Sequence, residues 1–218
     1  MKKPTIVLTG CNGQLGQTFQ YCWKNSVLAQ DYQLITFDRT TLDIADNVAV
    51  NSSFDQIDEI AAIVNAAAYT AVDKAESEEQ HAYAHNANTI GPTNLGKWAA
   101  ENGARLIHLS TDFVFDGKAR LPYLTDDQTA PLSVYGQSKL EGEKALGAIE
   151  NLEYAIVRTS WVYSPYSANF LLTMLCLMSE REVLNVVADQ VGSPTWTGTL
   201  AQALWGMAEK GTTGIHHW

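Results

Sequence analysis

The chain has 218 residues, of which 46% are hydrophobic and 17% are charged, a balance typical of a folded globular protein rather than a disordered one. The formal net charge is −10 at pH 7. The composition therefore excludes a basic face that would neutralise the phosphates of a nucleic acid or an anionic membrane surface.

Short β-branched runs alternate with longer amphipathic stretches over the first 160 residues. We predict strands at 4–9, 33–37, 61–66, 104–110 and 153–159, and helices at 14–24, 47–56, 79–102 and 135–147. This alternation indicates βαβ units and a parallel sheet. The run Ile6-Val7-Leu8 is apolar on both faces, so helices should cover both sides of the sheet. The predicted fold class is α/β, with a doubly wound parallel sheet.

The pattern changes after Thr159. We predict a buried helix at 168–180, a short strand from Val183 to Val187 and a helix at 198–209. The chain is accordingly divided into a first domain at 1–160 and a smaller, interwoven region at 161–218. Because the residues from Gly214 to Trp218 read as the start of a strand, we expect the natural chain to continue beyond them.

A glycine-rich loop, Gly10-Cys11-Asn12-Gly13-Gln14-Leu15-Gly16, joins the first strand to the first helix. Glycines are needed where a turn requires positive φ, where the backbone approaches a pyrophosphate and where helix and strand pack closely. A tight turn alone would also use them, but Asp38 ends the second strand 22 residues after Gly16, near the spacing of an acid that binds ribose hydroxyls. We therefore predict a Rossmann-type dinucleotide site, with the phosphates at the helix N-terminus.

Two features beside the predicted dinucleotide site each allow two interpretations. Arg39 could pair with a 2′-phosphate that Asp38 would repel, or it could be a surface charge, so the cofactor is NADP or NAD, with NADPH slightly preferred. Ala66, Ala67 and Ala68 follow the third strand, where small side chains either admit a ligand or simply pack tightly.

Tyr135 and Lys139 are four residues apart and so lie on one face of a predicted helix. An unperturbed tyrosine has a pKa of about 10, and a neighbouring cation is expected to lower that pKa, which makes Tyr135 a candidate general acid. Such pairs are common on surfaces. Here the pair follows Thr111 by 24 residues, and Thr111 stands at the end of a predicted strand, where its hydroxyl can bind a substrate carbonyl.

Several segments carry a specific resemblance. The sequence resembles the extended short-chain dehydrogenase/reductase superfamily, and within it the dTDP-4-dehydrorhamnose reductases, through GCNGQLG (10–16), NAAAYTAVDKAE (65–76), LSTDFVFDG (109–117), PLSVYGQSKLEGE (131–143), RTSWVYS (158–164) and ADQVGSPT (188–195). These segments cover nearly the whole chain in order. The resemblance implies an NAD(P)-binding domain at 1–160 and a partial substrate-binding region at 161–218.

The same resemblance implies roles for individual residues. Thr111, Tyr135 and Lys139 would form the catalytic triad, and Lys139 would also hold the nicotinamide ribose. Two members of the triad, Tyr135 and Lys139, would also line the cofactor. The other lining residues would be Gly10, Asn12, Gly13, Gln14, Leu15, Gly16, Asp38, Arg39, Ala66, Ala67 and Ala68. The nucleotide-sugar would lie near Thr111, Tyr135, Asp112, Trp161, Asn169 and residues 189–194, although Trp161 could equally be a core residue.

The implied reaction is hydride transfer from NAD(P)H to C4 of dTDP-4-dehydro-L-rhamnose, with Tyr135 protonating the oxygen. Sugar-nucleotide 4,6-dehydratases carry a Thr-Asp-Glu run for acid and base work, whereas Phe113 follows Asp112 here, which favours plain reduction. The alternatives are another nucleotide-sugar reductase or epimerase, and a non-catalytic NADP-binding regulatory subunit like that of methionine adenosyltransferase. The intact triad favours an enzyme.

The cysteines, the histidines and the absence of a recognisable targeting segment bear on the location of the protein and on metal binding. Cys11, Cys22 and Cys176 show no paired spacing, and no signal peptide or membrane segment is evident, so we expect a cytoplasmic protein. We also consider a homodimer as its assembly. His81 and His85 are four residues apart but lack a third ligand, so we predict no metal site.

Overall fold

A computed structural model describes residues 2–218. Its strands are β1 (Thr5–Thr9), β2 (Gln33–Phe37), β3 (Ile60–Asn65), β4 (Arg105–Thr111), β5 (Tyr154–Thr159), β6 (Val162–Tyr163), β7 (Thr195–Trp196) and β8 (Gly214–His217). Six of them form one sheet in the order β2-β1-β3-β4-β5-β8, with every neighbouring pair parallel. The remaining two, β6 and β7, pair with each other.

The helices are α1 (Gln14–Trp23), α2 (Leu28–Asp31), α3 (Asn47–Phe54), α4 (Val72–Ala75), α5 (Glu78–His85), α6 (Gly91–Asn102), α7 (Val134–Gly147), α8 (Phe170–Glu180) and α9 (Thr197–Lys210). The single helix predicted at 79–102 is α5 and α6 joined by a π-helical turn, Asn86–Ile90. Pro92 lies in the first turn of α6 and has no N–H to donate, which is a reason for the backbone to widen here.

Helices cover both faces of the sheet, as the doubly wound α/β prediction required. Ile6 and Leu8 of β1 pack with Phe19 of α1 on one face. Val7 between them packs on the other face, with Phe54 of α3 among others. The apolar run in β1 is therefore explained by two separate cores.

The elements after residue 160 divide between two environments. Strand β8 adds the sixth strand to the main sheet, and α9 packs against α1, where the rings of Phe19 and Trp205 meet edge to face at 5.4 Å. The predicted strand at the end of the chain is confirmed. The boundary at residue 160 remains a prediction, because α9 and β8 share the sheet and core of the first 160 residues.

Two predictions for this part of the chain are wrong. The helix at 168–180 forms as α8 but has no buried residue, because no described element covers its apolar surface. The segment from Val183 to Val187 is irregular rather than a strand, and its valines are exposed since no neighbouring strand pairs with it. Among residues 2–218, no helix has the length and apolar character needed to cross a membrane.

Candidate active site

The glycine loop closes against the carboxyl end of β3. Gly10 has a φ of +71°, and a Cβ atom on it would lie 2.5 Å from the Ala67 nitrogen. A Cβ on Gly16 would lie 2.3 Å from the Gly10 oxygen. Gly13 is the N-cap of α1 and no side chain caps the helix, which leaves first-turn N–H groups available to an anion. The loop therefore requires glycine for the predicted reasons, namely a positive φ at Gly10 and close packing at Gly10 and Gly16.

A cavity of about 550 Å³ lies beside this loop. Most residues predicted to line a cofactor line this cavity: Gly10, Asn12, Gly13, Asp38, Arg39, Ala66, Ala67 and Ala68. Of the other three predicted residues in the glycine loop, Leu15 is buried in the core, Gly16 packs against Gly10, and the side-chain oxygen Oε1 of Gln14 accepts a hydrogen bond from Ser164 Oγ at 3.2 Å. The side chain of Leu15 is accordingly directed to the core and that of Gln14 to the neighbouring loop.

Asp38 is fixed at the edge of this cavity by several hydrogen bonds. One carboxylate oxygen accepts from the Thr40 hydroxyl and from the backbone N–H groups of Thr40 and Thr41. The other oxygen accepts from Asn12 Nδ2 at 2.7 Å, which ties the second strand to the glycine loop. The hydrogen bonds from Thr40 and Thr41, led by that of the Thr40 hydroxyl, lower the pKa of Asp38 to about 2. Arg39 lines the same cavity, so an acid and a guanidinium both stand at the predicted ribose end.

Sequence reasoning missed several lining residues. Tyr69, Tyr83 and Asn86 also line the cavity, and they come from the loop after β3, from α5 and from the start of the π turn respectively. No motif marked them, because their position depends on how α5 packs beside the sheet.

Thr111 and Tyr135 meet at the carboxyl end of β4. Thr111 is the last residue of β4 and is buried, and its hydroxyl lies close enough to the phenol of Tyr135 to influence the pKa of that phenol. Tyr135 stands in the first turn of α7, which Ser133 caps by accepting from the Gly136 nitrogen at 3.0 Å. A Cβ on Gly136 would lie 2.3 Å from the Phe113 oxygen, so this glycine allows α7 to approach the turn after β4.

The expected lowering of the Tyr135 pKa by a cation is wrong in this arrangement. Burial raises the pKa of Tyr135 to about 12, while the hydrogen bond with Thr111 lowers it and the charge of Asp112 raises it further. Lys139 does not offset the burial, because its Nζ donates to the Leu109 carbonyl oxygen and lies 3.3 Å from His108 Nε2. The phenol is therefore held in its protonated form, as a proton donor must be.

Lys139 is 2% exposed, and its ammonium is correspondingly destabilised. Burial lowers the pKa of Lys139 to about 8, against the opposing charge of Glu143 one turn later. Glu143 is itself buried and forms an ion pair with Arg158 of β5 at 2.6 Å. Sequence reasoning missed this pair, although an arginine inside an apolar strand must find a partner when buried.

The residues predicted to contact the sugar lie on the same side of the sheet. Asp112 is half-buried next to Thr111, and burial raises the pKa of its carboxyl. Trp161 is 45% exposed with a φ of +47°, so the alternative reading of it as a core residue is wrong. The indole lies against Gly192, where a Cβ would come within 2.6 Å of Nε1. Trp161 and residues 189–194 are thus neighbours.

Asn169 has a structural use in this arrangement. Its oxygen caps α8 by accepting from the Leu172 nitrogen at 3.0 Å, and its Nδ2 donates to the Ser164 carbonyl oxygen at 2.8 Å. Its place near the sugar stays a prediction. Residues 2–218 contain no group of three or more histidine, cysteine or acidic side chains that could hold a metal ion.

A Tyr-x-x-x-Lys pair and a threonine at the carboxyl edge of a Rossmann-type sheet define the short-chain dehydrogenase/reductase class, and this chain has that arrangement. A family model described as the RmlD substrate binding domain matches residues 4–218. The dTDP-4-dehydrorhamnose reductase of Sinorhizobium fredii is 44% identical over 206 residues, which are 94% of this chain and 66% of that protein. The chain belongs to the dTDP-4-dehydrorhamnose reductase family.

Solved structures agree. A dTDP-4-dehydrorhamnose reductase of Clostridium acetobutylicum matches with a TM-score of 0.90 at 40% identity, covering 98% of this chain and 73% of that one. The enzyme of Bacillus anthracis in complex with NADP matches with a TM-score of 0.91 at 36% identity, covering 99% of this chain and 74% of that one. The chain thus spans about two thirds to three quarters of the length of these relatives.

Proposed function

We propose that this chain carries the dinucleotide site and catalytic centre of an NAD(P)H-dependent reductase that converts dTDP-4-dehydro-L-rhamnose to dTDP-L-rhamnose. The observation that carries the proposal is that Tyr135 and buried Lys139 both reach from α7 to β4, Tyr135 towards Thr111 and Lys139 to the Leu109 carbonyl oxygen, near the sheet edge that also holds the glycine loop. The named activity of the relatives supports the substrate.

The residues of the cavity fit a dinucleotide. Gly10 and Gly16 leave no room for a side chain, so the loop backbone can approach a pyrophosphate, and the uncapped N-terminus of α1 offers N–H groups to it. Asp38 is an ionised acceptor for ribose hydroxyls, and Arg39 is available to a 2′-phosphate. The structure of a relative with NADP supports NADP, and NAD remains the second choice.

The bound cofactor would supply the hydride for C4 of the sugar. Tyr135 would donate its phenolic proton to the developing alkoxide, and the Thr111 hydroxyl would hydrogen-bond the same oxygen. Lys139 would orient the nicotinamide ribose. Phe113 stands where the 4,6-dehydratases carry an acid, so no base for elimination follows Asp112 and reduction is the simpler chemistry.

The nucleotide-sugar would lie beside Asp112, Trp161 and residues 189–194, with Asn169 at the entrance to α8. Apart from Asp112, these residues belong to the region 161–218. We propose this region as the partial substrate-binding region beside an NAD(P)-binding domain at 1–160. A cytoplasmic location and a homodimer remain part of the proposal. The regulatory-subunit alternative is disfavoured because Thr111, Tyr135 and Lys139 are all present.

The proposal is tested by following NADPH oxidation with dTDP-4-dehydro-L-rhamnose. Tyr135→Phe removes the proton donor and should lower the turnover rate by about 10²–10⁴-fold while NADPH binding persists. Tyr32→Phe is the matched control, because Tyr32 precedes β2 at the opposite edge of the sheet, and it should keep full activity. Equal turnover in both variants, or none in the unsubstituted protein, would contradict the proposal.

A further inference from the structure

A line of buried polar side chains crosses the sheet and ends at Lys139. Thr9 at the end of β1 pairs in register with Asn65 of β3, and Asn65 pairs with His108 of β4. All three side chains are buried, with Asn65 and His108 at 0% exposure. His108 Nε2 then lies 3.3 Å from Lys139 Nζ. No step of the proposed reaction uses Asn65 or His108, so this line needs its own explanation.

The orientation of the Asn65 amide is fixed by a backbone group. The Ala67 N–H, which can only donate, points at Asn65 Oδ1 at 3.1 Å, and the Thr9 hydroxyl donates to the same oxygen at 2.7 Å. The other amide atom is therefore the NH₂ group, and it lies 3.0 Å from His108 Nδ1. Because an amide NH₂ only donates, Nδ1 must accept and carries no proton.

One tautomer of His108 follows from this contact. A neutral imidazole with an unprotonated Nδ1 carries its proton on Nε2, the nitrogen that faces Lys139. The doubly protonated ring is disfavoured as well, because burial and then the charge of Lys139 hold the pKa of His108 well below its ordinary value. His108 therefore presents an N–H donor to Lys139.

An N–H donor facing an ammonium is a poor match. The ammonium has three donors and no acceptor, whereas the neutral amine has a lone pair that can accept from Nε2–H. The Leu109 carbonyl oxygen satisfies one Nζ–H in either state. Of the charged groups around Lys139, Glu143 on α7 favours the ammonium, but this carboxylate is already paired with Arg158 of β5. Tyr135 on α7 is a neutral phenol, and Asp112 at the end of β4 acts on Tyr135.

We propose that His108, fixed in one tautomer by Asn65, is a positioning residue that keeps Lys139 ready to give up a proton. His108 aims Nζ and offers it an N–H that only the amine can accept. The inference rests on the proposed reductase, in which Lys139 lies one helical turn from the proton donor Tyr135. When the protein is titrated without substrate, the Lys139 ammonium releases its proton to water, and no other reactant is needed.

The first test is NMR of the protein without substrate. Nitrogen shifts of the His108 ring at neutral pH should show a protonated Nε2 and an unprotonated Nδ1. A protonated Nδ1, in either the other tautomer or the imidazolium, would overturn the proposal. This measurement uses the unsubstituted protein and does not depend on turnover, so it decides the matter even if the reductase activity is absent or a variant fails to fold.

The second test is the titration of Lys139, followed through its side-chain carbon signal and assigned by the loss of that signal in Lys139→Met. In His108→Gln the amide oxygen can accept from the ammonium, so the midpoint should rise by about one pH unit or more. His81→Gln, the same change at an exposed histidine, should leave the midpoint unchanged. A folded His108→Gln protein with an unaltered Lys139 midpoint would refute the proposal. If the apparent pKa of the basic limb of its reductase pH profile rises by the same amount as the midpoint, the support extends to turnover.

Discussion

Two apolar helices that follow residue 160 differ sharply in their surroundings. α9 buries Leu200, Leu204 and Trp205 against α1 and the sheet, whereas α8 has no buried residue although most of its side chains are apolar. The helix with the more continuous apolar sequence is therefore the exposed one. Apolar content indicates that a helix can be buried, but burial itself requires a neighbouring surface, and the periodic polar face of α9 is the better indicator of one.

The largest difference that this comparison predicts is in stability. Leu204→Ala should lower the free energy of unfolding by about 2–5 kcal/mol, because Leu204 is 0% exposed in a packed core. Leu175→Ala on α8 removes the same atoms from a side chain that is 56% exposed and should change it by no more than about 0.5 kcal/mol. Urea unfolding followed by circular dichroism measures both, and similar losses would show that α8 is covered in solution.

The packed part of the molecule also buries a charge, and this gives a pH dependence. The pKa of Lys139 falls from 10.5 to about 8 on folding, so the folded protein binds this proton less tightly than the unfolded chain does. The penalty is fully present below pH 8 and is relieved as the pH rises towards 10.5. Relative to Lys139→Met, the stability of the unsubstituted protein should rise over this window by up to about 3 kcal/mol.

The control for this pH dependence is Lys97→Met, which changes an exposed lysine on α6. Its stability relative to the unsubstituted protein should stay nearly constant over the same window. A flat difference for Lys139→Met as well would mean that the Lys139 ammonium is not destabilised by its burial.

The smallest effect concerns two thiols. Cys176 on α8 is exposed, whereas Cys11 is buried after β1 and burial raises the pKa of its thiol. Alkylation of the native protein, mapped by mass spectrometry, should modify Cys176 at least about tenfold faster than Cys11. Equal rates would contradict the difference in packing between α8 and the sheet.

The parts of the fold that the sequence predicted are those set by local rules. The glycine loop was predictable because Gly10 and Gly16 answer to steric limits, and β1 was predictable because an apolar run without alternation needs cover on both faces. Leu15 was placed in the cofactor site by resemblance, but its side chain belongs to the core. Only the three-dimensional structure shows which face of α1 packs on the core and which faces the cavity.

The electrostatics of the site could not be predicted in this way. The Tyr135–Lys139 spacing suggested a lowered phenol pKa, yet the observed direction depends on burial and on Lys139 turning towards Leu109 and His108. The roles of Asn65 and His108 likewise depend on the register of β3 and β4, which brings residues 43 positions apart into contact. Tertiary packing decides these features, and no short motif records it.

The most direct test of the central claim, that this site passes a hydride to a keto-sugar, is isotope transfer. NADPH carrying two deuterium atoms at C4 of the nicotinamide, so that the transferred hydride is labelled whichever face it leaves, would be incubated with the protein and dTDP-4-dehydro-L-rhamnose, and the sugar product examined by mass spectrometry and NMR. We predict deuterium on C4 of the rhamnose ring, and its loss with Tyr135→Phe. A reduced sugar without deuterium at C4, or a nicotinamide that keeps both deuterium atoms, would contradict this account.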